Sequence, residues 1–405
     1  MAKLTRILLL IAFLFPLLEV SAQNDNKDPA LDIYGFAMTD VGYNFNQIDP
    51  SWFDVMRTTK LPAYANEFAP DGNVYFSVRQ TRFGVKGYTP TKFGVLKTQF
   101  EFELFGTGVD AGQTTFRLRH AYGQLGKFLV GQTWSPFMDA DVFPNSLEYW
   151  GPPGMVFFRN IQIRYMPLQG ETFASIALER PGASADQGIY SNRIELQDVK
   201  GRFPVPDLSG EYHKAFSHGY VEAAGIIRYI KWEDQGMQQY DLSGNAIGWG
   251  INLSSNLKPG KNDVIRLQVV YGSGIENYMN DAPVDIGIKS DSGNVNAPIK
   301  GVTLPVLGLV AFIDHNWSDK FSTTAGWSMI DINNSDAQNP SDFHQGQYAL
   351  ANIIYYPTKN MMAGAEVQYG GRSNFSDGFT SSAVKVQFSF KYNFSKTFYH
   401  EPSAP

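Results

Sequence analysis

Residues 384–394 read VKVQFSFKYNF. Val384, Val386, Phe388, Phe390, Tyr392 and Phe394 alternate with Lys385, Gln387, Ser389, Lys391 and Asn393. A β-strand sends successive side chains to opposite faces. One face of this strand is therefore wholly apolar and the other wholly polar. Residues 93–105 repeat the pattern, with Leu96, Thr98, Phe100, Phe102 and Leu104 opposite Lys97, Gln99, Glu101 and Glu103. Residues 263–271 do so again, with Ile265, Leu267, Val269 and Tyr271 opposite Arg266 and Gln268.

Sixteen runs of this kind occupy residues 31–394, and no sustained helical periodicity intervenes. Seven short turns, such as Tyr88–Thr91, Lys214–Ser217 and Pro357–Lys359, alternate strictly with eight longer loops. Both ends of the array then lie on the short-turn side. In lipid, every backbone polar group must be satisfied internally, which leaves helices and closed barrels. Bacterial outer-membrane barrels have an even strand number, short periplasmic turns and longer outer loops. The expected fold is thus all-β, a 16-stranded antiparallel transmembrane β-barrel. A soluble sandwich also alternates, but its interior would be apolar, whereas the non-aromatic faces here carry charge.

Composition agrees. The chain has 405 residues, 43% apolar and 18% charged, which excludes a disordered polymer. Phe, Tyr and Trp make up 14%, and 38 Gly suit strands and tight turns. There is no cysteine, so no disulfide framework or thiolate metal site. The longest apolar run, Ile7–Leu18, is shorter than the roughly 20 residues of a spanning helix. With Lys3 and Arg6 before it and Val20-Ser21-Ala22 after it, residues 1–22 form a secretory signal peptide. The expected layout is a signal peptide at 1–22, a short segment at 23–30, the barrel at 31–394 and a tail at 395–405.

The net charge is −6, yet the loops are more acidic than the whole, so the strand walls are basic. Lysine or arginine facing lipid at mid-depth costs about 2–4 kcal/mol, which directs most wall charges to the lumen. Candidate lumen cations include Lys97, Arg117, Arg119 and Arg164, with Glu101 and Glu103 as counter-charges. Arg117 and Arg119 are two apart and share a face. Their planar guanidinium groups suit two-point binding of a carboxylate. Arg79 and Arg82 are three apart and need a bulge for both to face inward.

The loop at 134–158, TWSPFMDADVFPNSLEYWGPPGMVF, carries Asp139, Asp141 and Glu148 and neither Lys nor Arg. Folded into the lumen, it would set these acids across from the basic wall and create a transverse field in a narrow gap.

The stretch from RLRHAYGQLGKFLVGQTWSPFMD through RNIQIRY, with Pro144, Glu148 and Gly151-Pro152, resembles the DcaP-like porins of bacterial outer membranes. The resemblance implies a trimeric barrel, a third loop that narrows the pore, and passage of small anions, dicarboxylates in particular. It suggests constriction roles for Arg117, Arg119, Asp139 and Glu148, with Trp134 supporting the loop.

Six scattered histidines form no metal-spaced cluster, and neither a nucleotide-binding glycine loop nor a nucleophile elbow is present. The expected function is passive diffusion of small hydrophilic solutes, anions preferred, without cofactor, metal or nucleic acid. Expected partners are outer-membrane lipid and lipopolysaccharide, small anionic solutes and two further copies of the chain. A plugged barrel that binds a surface ligand or glycan is the competing expectation.

Overall fold

The computed structural model describes residues 29–236 and 240–399. The expected signal peptide, residues 23–28 of the following segment and residues 400–405 of the tail lie outside the described residues. Eighteen strands join in one sheet, and every pairing between them is antiparallel. The first strand, Ala30–Asn44, pairs with the last, Thr380–Tyr399, from Ala30↔Tyr399 to Asn44↔Lys385, and this closes the barrel.

Two wall positions are each split in two. Asn73–Ser77 and Arg82–Thr91 both pair with the first strand. Val199–Arg202 and Asp207–Phe216 both pair with Gly219–Asp234. Counting each split position once leaves sixteen wall strands. The first break, 78–81, lets both nearby arginines turn inward: Arg79 reaches Asp54 (2.6 Å) and Arg82 reaches Glu103 (3.3 Å). The last strand continues past Phe394 to Tyr399, so residues 395–399 belong to the wall rather than to a tail.

The alternation is realised as a division between outside and inside. Phe388, Phe390 and Tyr392 project exposed from the wall, while Lys385, Gln387 and Ser389 between them are fully buried. The interior, however, is not uniformly polar. Between strands Gly219–Asp234 and Phe343–Thr358, inward positions include Ile226, Val270, Val310, Phe312, Ile330 and Leu350. Against them pack Met56 and Leu61 of the first long loop and Phe137, Met138, Val142 and Met155 of the third. Each such side chain contributes about 1.5–3 kcal/mol on burial, which holds these loops inside the barrel. A two-stranded hairpin of the sixth long loop, Ile286–Ser290 with Ile299–Thr303, forms a small sheet separate from the wall.

The lumen therefore has two unlike sides. One is an apolar half-core made by wall and loops. The other, formed by the first strand, the segment Arg82–Thr91, and strands Gly94–Phe105 and Thr114–Leu125, is polar. Its inward Tyr34, Lys86, Gln99, Tyr122 and Gln124 remain partly exposed, and Lys97 is exposed.

Candidate functional site: the arginine wall and the inserted third loop

The third loop leaves the wall at Trp134, the last residue of strand Phe128–Trp134, and returns at Arg159. In between it crosses the lumen. Asn252 donates to the Phe137 carbonyl (3.0 Å) and Asn256 to the Asp141 carbonyl (2.7 Å). Farther along, the Leu147 and Glu148 amides donate to the two Glu366 oxygens (2.7 and 3.1 Å). Gln80 and Gln387 both donate to the Leu147 carbonyl (2.9 and 3.1 Å). Gly154 then lies directly on the wall: a Cβ there would collide with the Met329 carbonyl oxygen, and one on Gly308 with the Gly154 carbonyl oxygen. Two glycines thus permit backbone-to-backbone contact that any side chain would forbid.

The acids of this loop take three different places. Asp139 is buried; its carboxylate accepts from Tyr220 (2.7 Å), Ser254 (2.6 Å) and the Asp141 amide (2.9 Å). It fastens the loop to the wall and caps the turn Ala140–Val142. Glu148 is buried as well, accepting from the Met56 and Gly151 amides. Its complete burial pushes the carboxyl up to about 7, against the opposing pull of Lys385 and the backbone donors. Asp141 alone of the three is exposed. The expected row of acids facing a basic wall is not what the loop presents, because two carboxylates are consumed in anchoring it.

The basic residues separate in the same way. Arg119 is buried between Glu101 (2.7 Å) and Glu103 (2.6 Å). A bulge at this point turns His120 inward too, where its ring meets Thr133 (3.0 Å). Arg117, on the same face, keeps 31% of its side chain exposed, with Glu103 at 3.9 Å. Arg82 is similar, 26% exposed and near both glutamates. Arg159, buried, stands 3.8 Å from Glu103. Tyr149 of the third loop donates to Glu103. Four guanidinium groups thus surround two carboxylates, which leaves a surplus of positive charge. Its accessible members are Arg82 and Arg117.

Trp134 sits under this cluster. Arg159 and Arg119 lie over its ring (4.8 and 5.4 Å), and His120 and Phe157 pack edge-on. Arg164 does not face the passage as an open cation. It is bonded to Gln162 (2.9 Å) and the Trp134 carbonyl, with Glu211 at 3.6 Å. Lys97 is exposed nearer the short-turn end. Beside Arg117 a cavity of about 290 Å³ is bordered by Arg159, Tyr149, Trp150, Phe158 and Asn280. The list read from sequence lacked Arg82, Arg159 and Tyr149. Only the inward turn at the strand break and the path of the third loop bring them to Glu103.

The sequence profile of the DcaP outer membrane protein family matches residues 20–394. No curated protein matches the sequence significantly. Among solved structures, the outer membrane channel DcaP of Acinetobacter baumannii is similar, with a TM-score of 0.74 and 19% identity over 92% of this chain and 99% of that one. An anion-selective porin from Comamonas acidovorans is similar at TM-score 0.57 and 11% identity, covering 91% of this chain and 100% of that one. The trimer form of OmpT from Vibrio cholerae follows at TM-score 0.53 and 13% identity, with 91% and 100% covered. At these identities the structural likeness establishes the barrel fold.

Proposed function

This chain belongs to the DcaP outer membrane protein family, porins of the bacterial outer membrane, and on that premise we propose that it is a passive pore preferring small anions, dicarboxylates among them. The observation that carries the preference is the four-arginine, two-glutamate cluster with Arg82 and Arg117 left accessible. Charged rings in a pore set its ion selectivity, and conduction needs binding that is favourable yet weak enough for release. Lys97, Lys86 and Lys391 extend the positive lining along the partly exposed side of the lumen. Arg119 and Arg159 hold the two glutamates, Trp134 supports the arginines, and Asp139 and Glu148 keep the third loop across the lumen. The pore works as a homotrimer, a reading supported by the trimeric OmpT relative in fold. No step of this reading calls for an enzyme.

The loops packed inside the barrel favour one other reading, a largely plugged barrel that binds a ligand at its outer face. Reversal potentials of purified protein in a planar bilayer under a KCl gradient decide between them. An anion-selective potential, with block by added dicarboxylates, is expected. A cation-selective potential would keep the pore and discard the anion preference. Absence of conductance would favour the plugged barrel.

A further inference from the structure

The outer loops build a second, smaller core away from the arginine wall. Leu196 of the fourth long loop, Leu242 of the fifth, Ile288 and Ile299 of the hairpin, and Ala337 of the seventh are buried together. A cavity of about 360 Å³ opens into this cluster at the outer rim of the barrel. That volume is of the size that takes small organic ligands, and the lining is mainly apolar with a few polar groups, as such sites are.

The floor is preformed. Trp232 at the outer end of strand Gly219–Asp234 donates its indole N–H to the Leu242 carbonyl (2.9 Å). The Cζ2 edge of its ring is held against bare backbone: a Cβ on Gly301 would fall 2.8 Å from Cζ2, and one on Gly244 2.6 Å from it. An aromatic surface fixed in this way offers a flat apolar contact without ordering cost on binding.

The rim carries three lysines that are not alike. Lys200, Lys231 and Lys300 border the cavity, with Asp186 as the lone carboxylate among its lining residues. Lys231 is paired with Glu233 (2.6 Å) and Lys300 with Asp291 (3.2 Å). Asp186 is turned to the Gly188 amide (2.8 Å) and to Gln338 (3.2 Å). Lys200 differs: its ammonium donates to a neutral acceptor, the Gln197 carbonyl (2.7 Å), and it stands exposed. Its charge is therefore available to an anion.

We propose that this cavity is a binding site, separate from the pore, for one small amphipathic carboxylate whose apolar body lies on Trp232 and whose carboxylate meets Lys200. The limited volume excludes a multi-chain lipid, and the Lys200 ammonium, bonded only to a neutral carbonyl, favours an acid over an amine. The site is independent of the pore's ion preference, since none of its lining residues belongs to the arginine wall.

Calorimetric titration of naphthalene-1-carboxylate into the full-length protein in detergent tests this, with micelles alone as the blank. Saturable one-to-one binding is expected, and naphthalene-1-methanol, which lacks the charge, should bind at least about tenfold more weakly. Lys200→Gln should weaken the acid by a similar factor and leave the alcohol unchanged. Ala183→Trp, at the edge of the cavity, should abolish both. Single-channel conductance of each variant should equal that of the parent, which separates this site from the pore. Absence of saturable binding overturns the proposal. So does equal binding of acid and alcohol, or affinity for the acid unchanged by Lys200→Gln. Retained affinity in Arg117→Gln is expected; its loss would place the ligand in the pore and overturn the site.

Discussion

The guanidinium of Arg57 donates to the carboxylate of Asp281 at 2.9 Å, joining residues 224 apart in the chain. Asp281 is fully buried and also accepts from Thr59, both from its amide (3.0 Å) and from its hydroxyl (2.5 Å). Trp52 and Trp150, packed edge to face with their ring centroids 4.9 Å apart, form a corner for the Arg57 fork, which lies 4.1 Å from each ring centroid. The first, third and sixth long loops thus meet at one cation. They lock each other inside the barrel.

Breaking that lock should free the first loop. Removing one partner of a buried ion pair costs about 3–5 kcal/mol, because the other charge stays buried and unpaired. Arg57→Ala is expected to give larger or noisier single-channel currents, with the barrel itself still assembled on gels. Currents identical to the parent would mean that the loop is held elsewhere.

Arg117 and Arg119 should respond in opposite ways. Arg117 is partly exposed at 3.9 Å from Glu103, so Arg117→Gln should lower anion preference and leave thermal stability nearly unchanged. Arg119 is buried between two glutamates, so Arg119→Gln should destabilise by about 3–5 kcal/mol. Reversal potentials and the temperature of the heat-dependent gel shift read the two effects. Equal behaviour of the variants would contradict the assignment.

Asp139 should act on stability and pore width together. Its carboxylate holds Tyr220 and Ser254 of the facing wall. Asp139→Ala leaves these buried hydroxyls without their acceptor, at about 1–3 kcal/mol each. The expected outcome is a lower unfolding temperature with higher conductance, as the third loop swings from the wall. Unchanged conductance would show that the Leu147–Glu366 contacts hold the loop alone.

Asp342, in the seventh long loop, supplies a pH dependence. Burial and then the neighbouring Asp186 carboxyl push its pKa up to about 6 from an ordinary 3.8. The folded loop binds the proton more tightly than the unfolded chain. This stabilisation is therefore complete below about 3.8 and is lost as pH rises through about 6. Hydrogen exchange across 333–342, corrected for intrinsic rates, should show less protection at pH 7 than at pH 4.5. Asp342→Asn should flatten that difference. A pH-independent parent would remove Asp342 from the role.

The barrel was legible because strand periodicity is local. Eleven residues from Val384 to Phe394 already state which face meets lipid, and repetition with alternating short and long connections states how many strands close the ring. For Arg79 and Arg82 the spacing stated only a condition, an irregularity if both are to face inward; the wall breaks at 78–81 and both do. The site was legible only as residue types. Nothing in the spacing separates Arg117 from Arg119, or Asp139 from Asp141, since each pair shares its face or loop. Their fates diverge through contacts with Glu101, Glu103, Tyr149, Tyr220 and Ser254, which come from distant segments. Loops have no period, so their path follows from the apolar patches they find on the inner wall. Sequence alone set the closed wall and the faces on which its charges lie; the folded loops decided which of those charges are buried in ion pairs and anchoring bonds and which stay accessible.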